Sequence, residues 1–189
     1  MTQLLIGLAG LARTGKSTVA KHLELAHDFQ CYAFADPLRE GLMQIFNLSP
    51  CDFEGSKKEE QIDWLGRSPR ELMQLLGTEF GRNMVHPDLW LMLADQNLHF
   101  LEQTNACVAG FVISDLRFEN EAAFIRRRGG YVIHLQRPDA PEVHAHVSEL
   151  GIVIQDTDLV VCNDGGVEDM TGQIDELLKP MIKRLQRAA

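Results

Sequence analysis

The chain has 189 residues, of which 45% are hydrophobic and 24% charged, and its formal net charge is −9. This length and composition are typical of one globular domain with a packed core. The acidic balance argues against a general nucleic-acid binder, which needs a basic surface, although a local pocket can still attract a small anion.

Cysteine spacing and the N-terminal sequence bear on the cellular compartment. No signal-like basic and apolar segment opens the chain, and no stretch is long enough to cross a bilayer. We therefore expect a cytoplasmic protein without a membrane partner. The cysteines are far apart and lack metal-ligand spacing, so we expect them to be reduced and mostly buried: Cys31, Cys51, Cys107 and Cys162.

Hydrophobic periodicity predicts strands that alternate with helices along the chain. Alternation of this kind produces βαβ units, so the sequence predicts an α/β fold of three layers, a mostly parallel sheet with helices on both faces. In chain order the predicted elements are strand 3–9, helix 15–26, strand 30–34, helix 37–46, helices 69–82 and 87–102, strand 107–114, helix 119–128, strands 131–136 and 157–162, and helix 167–187.

Two predicted helices carry further expectations. Pro180 lies inside the last helix and should kink or interrupt it. The helix at 69–82 should bury one apolar stripe, formed by Leu72, Leu75, Leu76 and Phe80.

Two polar stretches, 47–68 and 138–151, interrupt this pattern. Both have few apolar residues that could anchor them, so we predict that they are mobile lids rather than linkers between domains. No internal repeat or low-complexity segment is present. The chain is therefore predicted to be a single domain.

The most specific motif is Gly10–Ser17, whose sequence GLARTGKS matches the GxxxxGK[ST] pattern of a P-loop between a strand and a helix. Its glycines let backbone N–H groups converge on a phosphate, and the N-terminal end of the helix adds positive potential. Lys16 would reach the β- and γ-phosphates, and the Ser17 hydroxyl would ligate magnesium. The sequence predicts binding of ATP and Mg²⁺ by Gly10, Arg13, Thr14, Gly15, Lys16, Ser17 and Thr18.

Asp115 ends the apolar stretch Phe111–Ser114. In a P-loop fold an aspartate in this place lies beside the P-loop and holds magnesium directly or through water. The alternative is an N-cap for the helix that begins near Glu119. We favour the metal role and predict Ser17 and Asp115 as the magnesium residues.

A third feature, Asp36-Pro37-Leu38-Arg39, follows the second predicted strand. Side chains at the carboxyl end of a strand face the crevice where ligands bind in open α/β sheets. Asp36 could orient or deprotonate an acceptor, and Arg39 could clamp its phosphate. The alternative, which does not exclude this role, is an Asp N-cap followed by Pro at the first helical position.

Several segments resemble, in the same order, the phage-type deoxynucleoside monophosphate kinases. The resemblance spans nearly the whole chain, and residues 68–90 are its most specific part. The segments are the P-loop, FADPLRE (34–40), SPRELMQLLGTEFGRNMVHPDLW (68–90), VISDLRFENEAAFIRRRGG (112–130) and CNDGG (162–166).

The resemblance implies a nucleoside monophosphate kinase-like fold and transfer of the γ-phosphate of ATP to a deoxynucleotide. Residues 47–90 would then be a helical acceptor-binding insertion, and 137–151 a lid. The residues implied to face the acceptor are Arg70, Gln74, Thr78, Glu79 and Arg82, with Asp88 and Trp90 nearby. The predicted acceptor-binding set comprises these residues without Glu79, together with Asp36, Arg39 and Arg117.

The remaining candidates are weighed against ordinary surface roles. Arg137, between a strand and a polar stretch, is predicted to be a catalytic lid arginine that stabilises the transferring phosphoryl group, together with Lys16 and Asp36. For Arg117 an ion pair with Glu121 competes equally with such a role. Arg126–Arg128 is more typical of a solvated helix end.

Two loop features are weaker signals. The backbone at Asn163 could cup adenine, as part of the ATP site. His144 and His146 have metal-binding spacing but no evident third ligand, so a solvated lid is favoured.

Two other functions stay open at this point. One is a kinase of another small acceptor, such as dephospho-coenzyme A, and the other is an ATP-binding switch that transfers nothing. The arginines around a second pocket favour a kinase, because both phosphates must be neutralised together. The accepted base and the oligomeric state, monomer or homodimer, are left open.

Overall fold

The computed structural model describes residues 3–138 and 152–188. The chain divides into two compact units, one formed by Met1–Ala33 and Phe100–Ala189 and the other by Phe34–His99. The expectation that the chain acts as one domain stays a prediction. None of the helices in the described ranges is long and apolar enough to span a membrane.

The first unit is built on a five-stranded sheet in the order β2-β3-β1-β4-β5. All four strand pairings are parallel, which confirms the predicted sheet. β1 is buried along its whole length because it lies at the centre. The strands are β1 (Leu4–Ala9), β2 (Phe29–Tyr32), β3 (Gly110–Ile113), β4 (Tyr131–Gln136) and β5 (Leu159–Cys162).

Helices cover both faces of this sheet. Alternate residues of β1, including Ile6 and Leu8, pack in one cluster with apolar residues of α1 (Lys16–His27) and α6 (Val167–Ala188). The opposite face of β1 carries Gly7, where an added Cβ would lie 3.1 Å from Ile125 of α5 (Glu119–Arg127). The three-layer α/β fold is therefore confirmed.

The second unit is helical and lies between β2 and β3 in the sequence. Its elements are α2 (Asp36–Phe46), two short 3₁₀ turns at Pro50–Phe53 and Lys57–Glu59, α3 (Pro69–Gln74), a π-helix at Leu75–Val85, and the start of α4 (Leu89–Thr104). Leu38, Leu42 and Leu72 form its buried centre. The structure thus contains the predicted helical insertion.

The stretch 47–68 differs from the polar segment that we predicted. Phe53, Ile62 and Leu65 are partly buried and pack against the buried centre of the second unit. An isolated bridge between Ile62 and Arg67 also fixes the backbone. The expectation that this stretch lacks apolar anchors is therefore wrong, because these residues are widely spaced and follow neither helical nor strand periodicity. Its role as a mobile lid stays a prediction.

The predicted helix at 69–82 is also corrected. It is α-helical only as far as Gln74 and continues as a π-helix to Val85. Leu72 is buried, but Leu75 and Phe80 are exposed. The predicted stripe assumed the 3.6 residues per turn of an α-helix. In the π-helix the backbone hydrogen bonds run from residue i to i+5, and the residues buried there are Gly77 and Gly81.

Two smaller corrections concern the last helix and the cysteines. α6 runs through Pro180, so the predicted interruption is wrong. The cysteines were expected to be mostly buried, but Cys31, Cys51 and Cys107 are exposed and Cys162 is half-buried. The second polar stretch, 138–151, lies almost wholly outside the described residues, which include only Pro138 of it.

Candidate active site

The P-loop connects the end of β1 to the start of α1. Gly10 has φ 143° and Gly15 has φ 107°, conformations that side chains rarely adopt. An added Cβ would lie 2.5 Å from the Leu135 carbonyl oxygen at Gly10, and 2.8 Å from Met170 Sδ at Gly15. Both motif glycines are therefore required by the backbone and by close packing.

Three side chains hold the loop in shape. Thr14 is 2% exposed, and its hydroxyl donates to the Leu11 carbonyl oxygen at 2.9 Å. The Asn163 amide, after β5, donates to the Thr14 carbonyl oxygen at 3.0 Å. Lys16 Nζ donates to the carbonyl oxygens of Gly10 and Leu11, each at 2.6 Å. The side chain of Asn163 thus braces the loop, a role that the sequence analysis missed.

The first turn of α1 is arranged as an anion site. Gly15 is its N-cap, no side chain caps it, and the turn contains no acidic residue. Ser17 and Thr18 are exposed there. Unoccupied N–H groups and the helix dipole favour a phosphate at such a terminus.

Asp115 reaches the same edge of the sheet. In the parallel register Gly7 of β1 pairs with Ile113 of β3, so two residues further on Asp115 is level with Ala9. Asp115 is half-buried. Carboxylate and hydroxyl oxygens are ligands that Mg²⁺ prefers, so Asp115 and Ser17 fit that ion chemically.

Two arginines follow strands at this edge. Arg137, just after β4, places Nη1 3.5 Å from the Arg13 carbonyl oxygen of the P-loop. Arg117, after β3, is exposed, and its backbone N–H donates to the Glu121 carboxylate at 2.8 Å. Glu121 also accepts from the Phe118 N–H at 3.1 Å, so it caps the start of α5.

In the second unit, Asp36 and Arg39 form an ion pair of 3.2 Å on α2. Ala35, not Asp36, is the N-cap of this helix, and no side chain caps it, so the alternative reading of Asp36 as a cap is wrong. A pocket of about 200 Å³ is lined by Asp36, Arg39, Glu40, Met43, Pro50, Phe53 and Glu54.

The other predicted acceptor residues lie on the α3 and π-helical segment and just after it. Gln74 and Thr78 are exposed, and Arg82 is half-buried. Arg70 is about half exposed and pairs with Glu59. The backbone N–H of the exposed Asp88 donates to His86 Nδ1 at 3.0 Å.

Trp90 packs against the buried face of the π-helix, at Gly77 and Gly81. Its indole N–H donates to the Gly77 carbonyl oxygen at 2.8 Å. An added Cβ at Gly81 would lie 2.6 Å from the indole ring. The predicted acceptor residue Trp90 therefore has a packing role, which requires the absence of a side chain at Gly81.

Arg126 is the largest departure from the predicted arginine roles. Its side chain is 12% exposed and meets the Asp158 carboxylate through two nitrogens, at 2.6 and 3.0 Å. Arg128 also pairs with Glu102, at 2.7 Å. The expectation of a solvated end for Arg126–Arg128 is therefore wrong for these two residues.

Asp158 is the centre of this network. Its side chain is 1% exposed and also accepts from His134 at 3.0 Å and from the Gln155 N–H at 2.9 Å. Burial raises the pKa of Asp158, but the hydrogen bonds from Arg126, Gln155 and His134 outweigh it and lower the pKa to about 2. The carboxylate therefore stays charged well below the usual range of an aspartate.

This pKa predicts an acid-dependent loss of stability. Because the pKa of Asp158 is lower in the folded than in the unfolded protein, its ionisation stabilises the fold fully at pH values above the unfolded-state pKa of about 4. This contribution is lost as the pH falls through about 2. We expect Asp158→Asn to cost about 2 kcal/mol at pH 7, a difference that shrinks towards pH 2. Urea unfolding at several pH values, with the exposed Asp156→Asn as control, measures it. An unchanged pH profile in Asp158→Asn would contradict this role.

A sequence model of the family described as "Deoxynucleotide monophosphate kinase" matches residues 56–174, more than half of the chain. A protein of Acanthamoeba polyphaga mimivirus, provisionally named as such a kinase, is 33% identical over 184 residues, which cover 90% of this chain and 94% of that protein. The deoxynucleotide monophosphate kinase of Enterobacteria phage T4 is 35% identical over 112 residues, 59% of this chain and 46% of the T4 protein.

The fold agrees with these sequence matches. A crystal structure from Chloroflexus aurantiacus, provisionally titled a kinase, superposes with a TM-score of 0.51 at 13% identity, covering 95% of this chain and 97% of that one. Identity this low shows the fold alone. Together with the P-loop geometry, the family match and the nearly full-length relative show that this chain is an enzyme of the deoxynucleotide monophosphate kinase family.

Proposed function

We propose that the enzyme transfers the γ-phosphate of ATP to a deoxynucleoside monophosphate and releases the diphosphate. The observation that carries this proposal is the complete P-loop, with Lys16 and Asp115 at one edge of the parallel sheet, in a chain of this family. Relatives from phages T4 and T5 are named as deoxynucleotide kinases, which supports a deoxynucleotide acceptor.

The first unit is proposed to bind ATP. The N–H groups of the P-loop and of the first turn of α1 would surround the phosphates, with Lys16 supplying positive charge to the β- and γ-phosphates. Lys16 now contacts two loop carbonyl oxygens, and its exchange of these for phosphate oxygens requires only side-chain rotation. Arg13, Thr18 and Asn163 complete the proposed ATP site.

The second unit is proposed to bind the acceptor through two sets of residues. Asp36 and Arg39 line the pocket of about 200 Å³, where Arg39 would hold a phosphate and Asp36 would orient it. The other set comprises Arg70, Gln74, Thr78, Arg82 and Asp88. Because Arg39 and Arg70 pair with carboxylates on the surface, exchanging those partners for a phosphate costs little.

Arg137 and Arg117 are proposed to act on the phosphoryl group in transfer. Arg137 already lies against the P-loop backbone through Arg13, and Arg117 is exposed at the end of β3. A guanidinium that meets the equatorial oxygens would offset the charge that builds up in the transition state. The lid role of 137–151 stays a prediction.

Mg²⁺ is proposed to be held by Ser17 and Asp115, where it would neutralise phosphate charge. We expect Asp115→Asn to keep the fold and to lower kcat by about 100-fold at saturating ATP, with a higher Mg²⁺ requirement. Titration of Mg²⁺ in steady-state assays measures this, with Asp95→Asn on the exposed surface of α4 as control. A wild-type Mg²⁺ curve for Asp115→Asn would show that the ion is held by other residues.

A panel assay separates the proposed function from its alternatives. ADP release is measured with each deoxynucleoside monophosphate, with dephospho-coenzyme A and without an acceptor. We expect release to depend on a deoxynucleotide. Release with dephospho-coenzyme A alone would identify the other kinase, and acceptor-independent slow release would identify an ATP-hydrolysing switch.

The proposed partners are accordingly ATP and one small nucleotide, in the cytoplasm, with neither a nucleic-acid polymer nor a membrane. The net charge of −9 fits this set, because a duplex-binding protein would need a basic surface.

A further inference from the structure

Two histidines and one aspartate meet between α1 and α6, within the first unit. His22 and His27 belong to α1, and Asp175 belongs to α6. The two Nε2 atoms lie 2.6 and 2.7 Å from the same oxygen, Oδ1 of Asp175. The donor atoms of these three residues all lie within 4.8 Å of one another. No other group of three or more potential metal ligands in the described residues meets this condition.

This cluster, His22/His27/Asp175, is separate from the ATP site. α1 begins at Lys16 and ends at His27, which places the last histidine about 16 Å along the helix axis from the P-loop lysine, at 1.5 Å per residue. None of the three residues takes part in the proposed transfer. Their side chains are partly buried, at 22% and 21% exposed for the histidines and 37% for the aspartate.

We propose that the cluster His22/His27/Asp175 is a binding site for a divalent transition-metal ion of the zinc class. Two imidazole nitrogens and one carboxylate oxygen are a donor set that suits Zn²⁺ and its neighbours, and Mg²⁺, which prefers oxygen ligands, is disfavoured. A fourth position is open to water because the cluster is partly exposed.

The geometry needs little change to hold the ion. Ligand atoms in a tetrahedral zinc site are about 3.3 Å apart, given bonds of about 2.0 Å. Each N–O separation would therefore open by about 0.6 Å. Asp175 is the most exposed of the three side chains, at 37%, and is therefore the one with the most room to move. Both Nε2 atoms already point towards the space that the ion would take, since they bond one oxygen there.

The site would join two helices that also shape the P-loop. α1 starts at the P-loop lysine, and Met170 of α6 packs against Gly15, where an added Cβ would lie 2.8 Å from its sulfur. A metal ion between these helices binds the folded state and not the separated helices. It therefore stabilises the first unit by linkage, whether or not nucleotide is bound.

Zinc binding by the full-length protein tests this proposal without any activity measurement. Calorimetric titration with Zn²⁺ in excess Mg²⁺ should show one equivalent bound, and zinc should raise the Tm. We expect His22→Gln, His27→Gln and Asp175→Asn each to weaken zinc binding at least tenfold. Gln and Asn keep hydrogen-bonding groups at these positions, so we expect each variant to fold. The Tm of each variant, measured without metal, checks this.

Matched controls distinguish this cluster from the other possible ligands. The double variant His144→Gln/His146→Gln should bind zinc as the wild type does. Co²⁺ in place of zinc should give a spectrum without a thiolate charge-transfer band, although three cysteines are exposed. The proposal would be overturned by any of three results: no zinc binding by the wild type, zinc affinity in all three cluster variants equal to that of the wild type, or a thiolate band in the Co²⁺ spectrum.

Discussion

Lys16→Ala should lower kcat/KM by about 10³-fold, or roughly 4 kcal/mol of transition-state stabilisation, and leave the fold intact. The lysine charge is the part of the P-loop that can follow the migrating phosphoryl group, since the backbone N–H groups are fixed. Its present partners are the carbonyl oxygens of Gly10 and Leu11, which are exposed enough to bond water after truncation. Stopped-time assays of ADP and diphosphate formation measure the loss.

The control for this variant is Lys21→Ala on the same helix. Lys21 is exposed and pairs only locally with Glu24, at 2.7 Å. We expect both variants to unfold within about 2 °C of the wild type, in line with small surface changes. Turnover by Lys16→Ala within tenfold of the wild type, at an unchanged Tm, would contradict the assigned role of the P-loop.

Arg82→Ala and Arg70→Ala should raise the KM for the deoxynucleotide, or lower kcat, by about 10- to 100-fold, with ATP binding unchanged. Charge-assisted hydrogen bonds to a phosphate contribute about 1.5–3 kcal/mol, which corresponds to that range. Arg39→Ala, which removes the cation of the pocket on α2, should have the same effect. Initial rates over a matrix of both substrate concentrations separate acceptor binding from ATP binding.

Arg67→Ala is the matched control for the acceptor arginines. Arg67 is exposed, lies three residues before Arg70 and pairs with Glu71 at 3.3 Å, so its removal tests a nearby charge outside the proposed set. We expect its kinetic constants to stay within about twofold of the wild type. Wild-type kinetics for Arg39→Ala, Arg70→Ala and Arg82→Ala alike would place the acceptor site elsewhere.

The nucleotide-binding edge of the sheet was predictable because its signals are local. The spacing of Gly10, Gly15 and Lys16 specifies a P-loop, and both glycines have φ angles that side chains rarely adopt. The position of Asp115 at the carboxyl edge was predictable because a parallel sheet brings the carboxyl ends of its strands to one edge. Its role in holding magnesium stays a prediction. The strand order was not predictable from the sequence pattern, since it depends on pairings between distant segments.

The second unit was predicted less well, because its structure departs from regular periods. The apolar residues Phe53, Ile62 and Leu65 come from turns, where no period exists to reveal burial. The π-helix shifts the buried face to Gly77 and Gly81, which a search at 3.6 residues per turn misplaces. A signal was nevertheless present in these two glycines, four residues apart: Gly81 admits the ring of Trp90, and Gly77 packs against Leu38.

The long-range polar clusters could not be predicted from the sequence. Arg126 and Asp158 are 32 residues apart, and His22 and Asp175 are 153 apart. At the level of the sequence each side chain looks like an ordinary charged or polar residue on a helix or in a loop. The partners come together only because α5 packs against β4, which pairs with β5 beside Asp158, and because α1 packs against α6.

Transfer of label from γ-³²P-ATP measures whether the enzyme phosphorylates a deoxynucleoside monophosphate. The full-length protein is incubated with labelled ATP, Mg²⁺ and one deoxynucleoside monophosphate at a time, and the products are separated by chromatography. We expect the label to appear in the deoxynucleoside diphosphate, in amounts equal to the ADP formed, and we expect Lys16→Ala to abolish this transfer. Label that appears only in inorganic phosphate with every deoxynucleotide would contradict the proposed kinase activity.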